Sequence, residues 1–187
     1  MPELAFVSVK PKADHTASVI WMHGLGADGH DFESILPELK LPQSHGIHFI
    51  FPHAPMRSVT INAGHLMPAW YDILSMDLGR EIDVEQLDVS AGQIEELIDM
   101  ELAKGISSEN IILAGFSQGG AVAIHTGIRY PEKLGGILAL STYLGGSSFF
   151  EEEDTVAPNL KTPIWWGHGQ KDPVVPLELG ARSVEIL

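Results

Sequence analysis

Ser117 is the residue of this chain best placed for covalent chemistry. It sits inside Gly115-Phe116-Ser117-Gln118-Gly119-Gly120, a serine with a glycine two residues before it and another two residues after. A serine hydroxyl is a weak nucleophile unless it is exposed, oriented and activated. The apolar run Ile111-Ile112-Leu113 predicts a buried strand ahead of it, and Ala121 to Tyr130 continues in helical period. Ser117 is therefore expected at the tip of a sharp strand-to-helix turn, with its hydroxyl presented outward. A serine that merely caps the helix would need neither glycine, whereas a tight turn with close helix–strand approach needs both. The helix N-terminus also brings partial positive charge to the place where an oxyanion would form.

Two further stretches fit acyl transfer. His23-Gly24-Leu25-Gly26 follows an early apolar strand, and a glycine-relaxed loop there can aim a backbone N–H at an oxyanion. The two donors would be the amides of Leu25 and Gln118; taken alone, the same loop is an ordinary strand-to-helix connection that needs glycine for its turn. Asp172, in Gly167-His168-Gly169-Gln170-Lys171-Asp172-Pro173, is placed late in the chain after another strand. It reads either as a turn aspartate before proline or as the acid that orients a histidine, and the serine turn favours the second.

The elements that must position these residues follow from pattern. Strands are expected at Ala5–Val9, Ser18–Met22, Ile47–Phe51, Gly136–Ser141 and Pro163–Gly167, in addition to the one before Ser117. A short helix is expected over Asp31–Leu39, disturbed by Pro37. A long one is expected from about Val84 to Lys104, with Leu87, Ala91, Ile94, Ile98 and Leu102 forming its apolar stripe. Asp83 and Gln86 resemble a capping box, and Gly105 suits the position just past the helix end. Residues 52–81 show no sustained period yet carry many apolar side chains, which suggests a partly folded lid. Residues 145–162 read as a loop whose acidic run, Glu151 to Asp154, is a solvated face. Alternating strands and helices imply one α/β domain over residues 1–187, with a mostly parallel, doubly wound sheet covered by helices on both faces. Ligand sites in such sheets lie beyond the carboxyl ends of the strands, where the loops after Met22, Phe51, Phe116, Leu140 and Gly167 would gather.

Bulk properties narrow the classes. The 187 residues carry a formal charge of −14, so no basic surface is available to hold a nucleic-acid backbone. The absence of cysteine removes disulfides, thiol nucleophiles and thiolate metal sites, and fits a reducing, cytoplasmic setting. Met1–Lys10 lacks the pattern of a signal peptide, and no apolar run is long enough for membrane insertion.

Taken together, His23-Gly24-Leu25-Gly26-Ala27-Asp28, Phe51-Pro52-His53-Ala54-Pro55, Ala69-Trp70-Tyr71-Asp72, the Gly115–Gly120 turn and Gly167–Pro176 resemble the phospholipase/carboxylesterase branch of the α/β-hydrolases. This branch includes bacterial carboxylesterases and acyl-protein thioesterases. The resemblance implies Ser117 as nucleophile, Asp172 as triad acid, Leu25 and Gln118 as the oxyanion hole, and Trp70, Ile73, Leu74 and Tyr143 as lining of an acyl pocket. It implies a small acyl ester or thioester as substrate, with no cofactor and no metal.

One member of the triad is not found. The order in this fold is serine, acid, histidine, but none of the fifteen residues after Asp172 is histidine. By resemblance, another strand, a Gly-His turn and a last helix should follow, so the chain reads as truncated, in the middle of an apolar helical pattern at Ser183–Leu187. Of the nine histidines, His125 lies eight residues beyond Ser117 on one helix, about 12 Å along its axis, too far to act as base. Impaired activity is expected, together with an unpaired sheet edge and apolar surface favouring association, a homodimer included. The competing expectation is a non-catalytic binding protein that keeps an esterase-like pocket and has lost its base.

Overall fold

Continuous apolar segments form the middle of a twisted sheet because both of their faces find cover. In the computed structural model, which describes residues 4–76, 80–146 and 159–187, the sheet comprises β1 (Phe6–Val9), β2 (Ala17–Met22), β3 (Ile47–Pro52), β6 (Ile111–Phe116), β7 (Gly136–Leu140) and β8 (Ile164–Gly167). Their order is β1-β3-β2-β6-β7-β8, with β1 antiparallel to β3 and every other pairing parallel. This is the α/β-hydrolase arrangement expected from the sequence. The acidic run at Glu151–Asp154 lies outside the described residues.

Alternate side chains of each strand enter different cores, as the two-residue repeat requires. Ile20, Met22, Ile50 and Leu113 face the helices α1 (Val84–Leu102) and α2 (Gln118–Arg129), with Leu179 of α3 (Leu177–Ile186) in the same core. Trp21, Phe49, Phe51 and Ala114 face the other way, toward Phe32, Ile35, Leu36 and Leu41. The expected cover on both faces is present, and the two faces differ in the kind of helix that supplies it. The second face carries the 3-10 segment Glu33–Leu39, because Pro37 has no N–H to return to the preceding turn and its ring crowds that turn. Ile112 and Trp165 on that side stay 38% and 61% exposed, and β8, paired only with β7 among the described residues, forms a sheet edge.

The α1 cap is half of a capping box. Asp83 Oδ1 accepts from the Gln86 N–H at 3.0 Å, but the Gln86 side chain accepts from the Asp72 N–H instead of closing the box on Asp83. Gly105 ends the helix with φ +89° and donates to Leu102 at 2.8 Å.

Residues 52–81, expected as a partly folded lid, divide in two. An antiparallel hairpin, β4 (Met56–Val59) with β5 (His65–Pro68), projects from the sheet and leaves Met56 and Leu66 exposed. Its four-residue strands are too short to display a period. The stretch behind it turns inward: Ala69, Trp70 and Tyr71 have no solvent exposure. Asp72 pins the two parts together, accepting from the Thr60 N–H at 2.7 Å and the Thr60 hydroxyl at 2.6 Å.

Three buried histidines make this fold less stable as the pH falls below the ordinary histidine value. Burial lowers the pKa of His23, His48 and His125 below the ordinary 6.5; Arg129 adds to the effect at His125, and Glu101 only partly opposes it at His48. The unfolded chain then binds more protons than the folded one below that value, so this contribution is complete above pH 6.5 and is lost as pH falls through 6.5 toward the lowered values. Thermal unfolding followed at about pH 7.5 and about pH 5.5 should show a lower midpoint at the acid value, each histidine contributing at most about 1.4 kcal/mol per pH unit.

Candidate active site

Strand register assembles the site. Met22 pairs with Gly115, Phe116 with Leu140, and Leu140 with Gly167, so β2, β6, β7 and β8 end level with one another. The residues that follow, His23, Ser117, Ser141 and His168, therefore begin four adjacent loops at one edge of the sheet.

Ser117 occupies φ 53°, ψ −119°, between the end of β6 and the first residue of α2. A side chain rarely adopts this conformation, which costs about 1–3 kcal/mol and persists only where neighbours enforce it. Here the Ser117 N–H donates to Leu140 at 2.9 Å and its carbonyl accepts from the Thr142 hydroxyl at 2.6 Å. The two glycines of the motif have the role read from the sequence. A Cβ at Gly115 would land on the Gly119 carbonyl, and a Cβ at Gly119 would stand 2.5 Å from the carbonyl oxygens of Met22 and His23.

Ser117 and Asp172 line one cleft of about 300 Å³, shared with Gly24, Leu25, Phe116 and Ser141. Asp172 Oδ1 accepts from the N–H groups of Val174 and Val175, both at 2.9 Å. Partial burial raises its pKa, but these two bonds, the Ser141 hydroxyl and nearby His168 outweigh that and hold the carboxyl below the usual aspartate value. Asp172 thus remains an anion at neutral pH. Among the described residues, neither the Leu25 nor the Gln118 N–H donates to a protein acceptor, the condition an oxyanion donor must meet.

None of the nine histidines lines this cleft. His168 Nε2 donates to the Val175 carbonyl at 2.8 Å and so steadies the Asp172 loop. His125 Nε2 meets Asp88 at 2.6 Å on the far side of α2. His23, only 1% exposed, donates from Nδ1 to the Gly24 carbonyl at 2.7 Å and accepts at Nε2 from the Ala54 N–H at 3.0 Å. These bonds define its tautomer and shape the loop that carries Leu25.

The expected acyl-pocket residues sit elsewhere. Trp70 and Ile73 belong to the core, and Trp70 Nε1 donates to the His23 carbonyl at 2.9 Å. Tyr143 is buried with its hydroxyl 2.7 Å from that of Tyr71 and its ring 4.8 Å from the Arg80 guanidinium. All three are buried, and none of them lines the cleft that holds Ser117. Leu74 is exposed at 44% but does not line the cleft. Phe116, Val174 and Val175 supply its apolar wall instead.

Two supports were not legible in the sequence. The Gln118 side chain accepts from the Trp70 N–H at 2.8 Å and donates to the Tyr71 carbonyl at 2.6 Å, tying residues 70–71 to the serine turn. Arg80 donates to the Val174 carbonyl at 2.9 Å, joining the end of the 52–81 segment to the acid loop. Both bridges depend on contacts between distant parts of the chain.

Residues 4–187 match the phospholipase/carboxylesterase family. The chain belongs to that family. It is 42% identical to acyl-protein thioesterase 1 of Schizosaccharomyces pombe over 187 residues, which cover 99% of this chain and 81% of that protein. It is 41% identical to acyl-protein thioesterase 1 of Gibberella zeae over 94% of this chain and 77% of that one. Among solved structures, acyl-protein thioesterase 2 of Zea mays superposes with a TM-score of 0.85 at 28% identity, covering 97% of this chain and 83% of the other. Arabidopsis thaliana SOBER1 gives 0.83 at 31% identity, covering 92% and 82%. The family assignment makes this chain an ester or thioester hydrolase by descent. No helix among the described residues is long and apolar enough to cross a membrane.

Proposed function

We propose that the chain is built to hydrolyse small carboxylic esters or thioesters through an acyl-enzyme on Ser117. The observation that carries this reading is Ser117 held at positive φ in one cleft with Asp172 and the Gly24–Leu25 loop. In the proposed reaction Ser117 Oγ attacks the carbonyl carbon and gives its proton to a base. The carbonyl oxygen becomes an oxyanion held by the Leu25 and Gln118 amides. Collapse breaks the bond to the leaving oxygen or sulfur, which takes the proton, and water then cleaves the acyl-enzyme by the same steps. The apolar wall of Phe116, Val174 and Val175 favours an apolar acyl group. A cytoplasmic setting belongs to the same proposal and rests on the cysteine-free sequence.

In this reading Ser117, Asp172 and Leu25 share the cleft, Gln118 directly follows Ser117, and none of the nine histidines lines the cleft. Turnover by these residues alone is therefore expected to be slow, and imidazole added to the solution should restore part of it. The test is hydrolysis of a short-chain aryl ester, with imidazole titrated and its own background rate subtracted. An imidazole-dependent rate proportional to protein supports the proposal. Full turnover without imidazole would show that another group is the base. Saturable binding of a non-hydrolysable ester analogue with no rescued turnover would favour the non-catalytic binding protein.

A further inference from the structure

A second constellation lies at the opposite end of the sheet, where the parallel strands begin, and the esterase reading has no use for it. His15 from the β1–β2 connection, His48 near the start of β3 and Glu101 near the end of α1 converge there, each offering a ligand atom within 4.8 Å of the others. We propose that His15 Nε2, His48 Nδ1 and Glu101 Oε2 bind a divalent transition metal ion of the zinc type, with the Ser18 hydroxyl or a water as fourth ligand.

The donor chemistry fits, since two imidazoles and one carboxylate oxygen suit zinc, cobalt and nickel. The spacing fits as well. Oε2 lies 3.2 Å from His15 Nε2 and 3.1 Å from His48 Nδ1. Ligands at zinc's bond lengths of about 2.0–2.1 Å stand about 3.3 Å apart in a tetrahedron. Ser18 Oγ, 2.8 Å from His15 Nε2 and 2.6 Å from Oε2, adds a fourth polar atom to the group. Both Glu101-to-histidine spacings thus already match those of a tetrahedral site, and the two imidazole nitrogens lie within 4.8 Å of each other.

The surroundings hold the ligands as metal sites require. His48 Nε2 lies 2.8 Å from the Ser8 hydroxyl, and Lys104 Nζ lies 2.5 Å from the other Glu101 oxygen, Oε1. Oε2 is thereby left as the single coordinating oxygen. In the metal-free network the nitrogens facing Oε2 carry the ring protons. With the ion bound, each ring keeps one proton on its far nitrogen, donated at His48 to Ser8 and at His15 outward, so neither ring must gain or lose charge. Glu101 is fully buried, His15 is partly exposed, and a cavity of about 260 Å³ lined by His15, His48, Lys10 and Lys104 gives the ion a way in. The Lys104 ammonium, paired with Oε1, opposes a dication through space, a cost that the three ligands must outweigh.

The ion would clamp the β1–β2 connection and β3 to the end of α1. The purified chain, freed of metal, should be titrated with Co²⁺ and followed by its visible absorption. The expected result is an intense tetrahedral spectrum that saturates at about one equivalent and is abolished by Zn²⁺. Zn²⁺ should also raise the thermal unfolding midpoint. His15→Asn should remove both responses, whereas His45→Asn, at the same end of the sheet but outside the cluster, should keep them. His15 is at the surface end of the site, so its variant is expected to fold, which far-ultraviolet circular dichroism checks. Absence of a saturable tetrahedral spectrum in the parent chain, or an equal one in His15→Asn, would overturn the proposal and leave the cluster a hydrogen-bonded carboxylate.

Discussion

Replacing Ser117 with alanine is expected to remove all imidazole-rescued ester hydrolysis, leaving the rate of imidazole in buffer. In the proposed reaction, Ser117→Ala deletes the one atom that would form the covalent bond and leaves the rest of the cleft in place. The backbone of the turn is held by Leu140 and Thr142 through main-chain atoms of residue 117, which alanine keeps. Loss of folding is therefore not the expected cause, and an unchanged unfolding midpoint checks this. Groups that act as a unit in a triad cost about 10⁴-fold or more when a single one is lost, but none of the nine histidines lines this cleft. The measurable drop is consequently from the rescued rate to background, about 10²-fold or more depending on how well free imidazole replaces a tethered one. If Ser117→Ala kept the rescued rate, imidazole would be acting alone and the acyl-enzyme proposal would fail.

Gly115→Ala is expected to be strongly destabilising, with the shortest clash of any glycine among the described residues. The new Cβ would fall on the Gly119 carbonyl, a backbone atom that no side-chain rotation can move. Relief requires α2 to lift from β6, and eleven of the twelve residues of α2 are buried. Overpacking of a fitted core costs about 1–3 kcal/mol when side chains can adjust, and more is expected where the clash is backbone on methyl. The matched control is Gly92→Ala in α1, where a Cβ meets nothing within 4 Å. That exchange should stabilise by about 0.5–1 kcal/mol, the ordinary gain of alanine over glycine inside a helix. Urea unfolding of both variants measures the contrast. A Gly115→Ala chain as stable as its parent would mean that the strand–helix approach is looser than described.

The elements that carry the site could be read from the sequence because each depends on local pattern. The apolar runs at Ser18–Met22 and Ile111–Leu113 fill strands whose two faces are both covered, and the stripe from Leu87 to Leu102 belongs to a helix with one buried face. The glycines around Ser117 recorded a close approach that only residues without a side chain permit. The position of Asp172 after a late strand was legible, and the structure puts it in one cleft with Ser117.

What the sequence alone decided, then, is the order of strands and helices, the serine turn and the family. Tertiary structure decided which side chains those elements bring into contact. Trp70 and Tyr143 are buried in the core, and the resemblance that named them for an acyl pocket carries no information on which of their faces are covered. The Gln118 side chain spans 48 residues to Trp70, and Glu101 spans 53 residues to His48. No periodicity records such pairs, because register between strands and the docking of helices on the sheet set them. The serine turn is a local feature with a sequence signature, whereas the cleft in front of it and the histidine cluster at the far end exist only when separate elements close on one another.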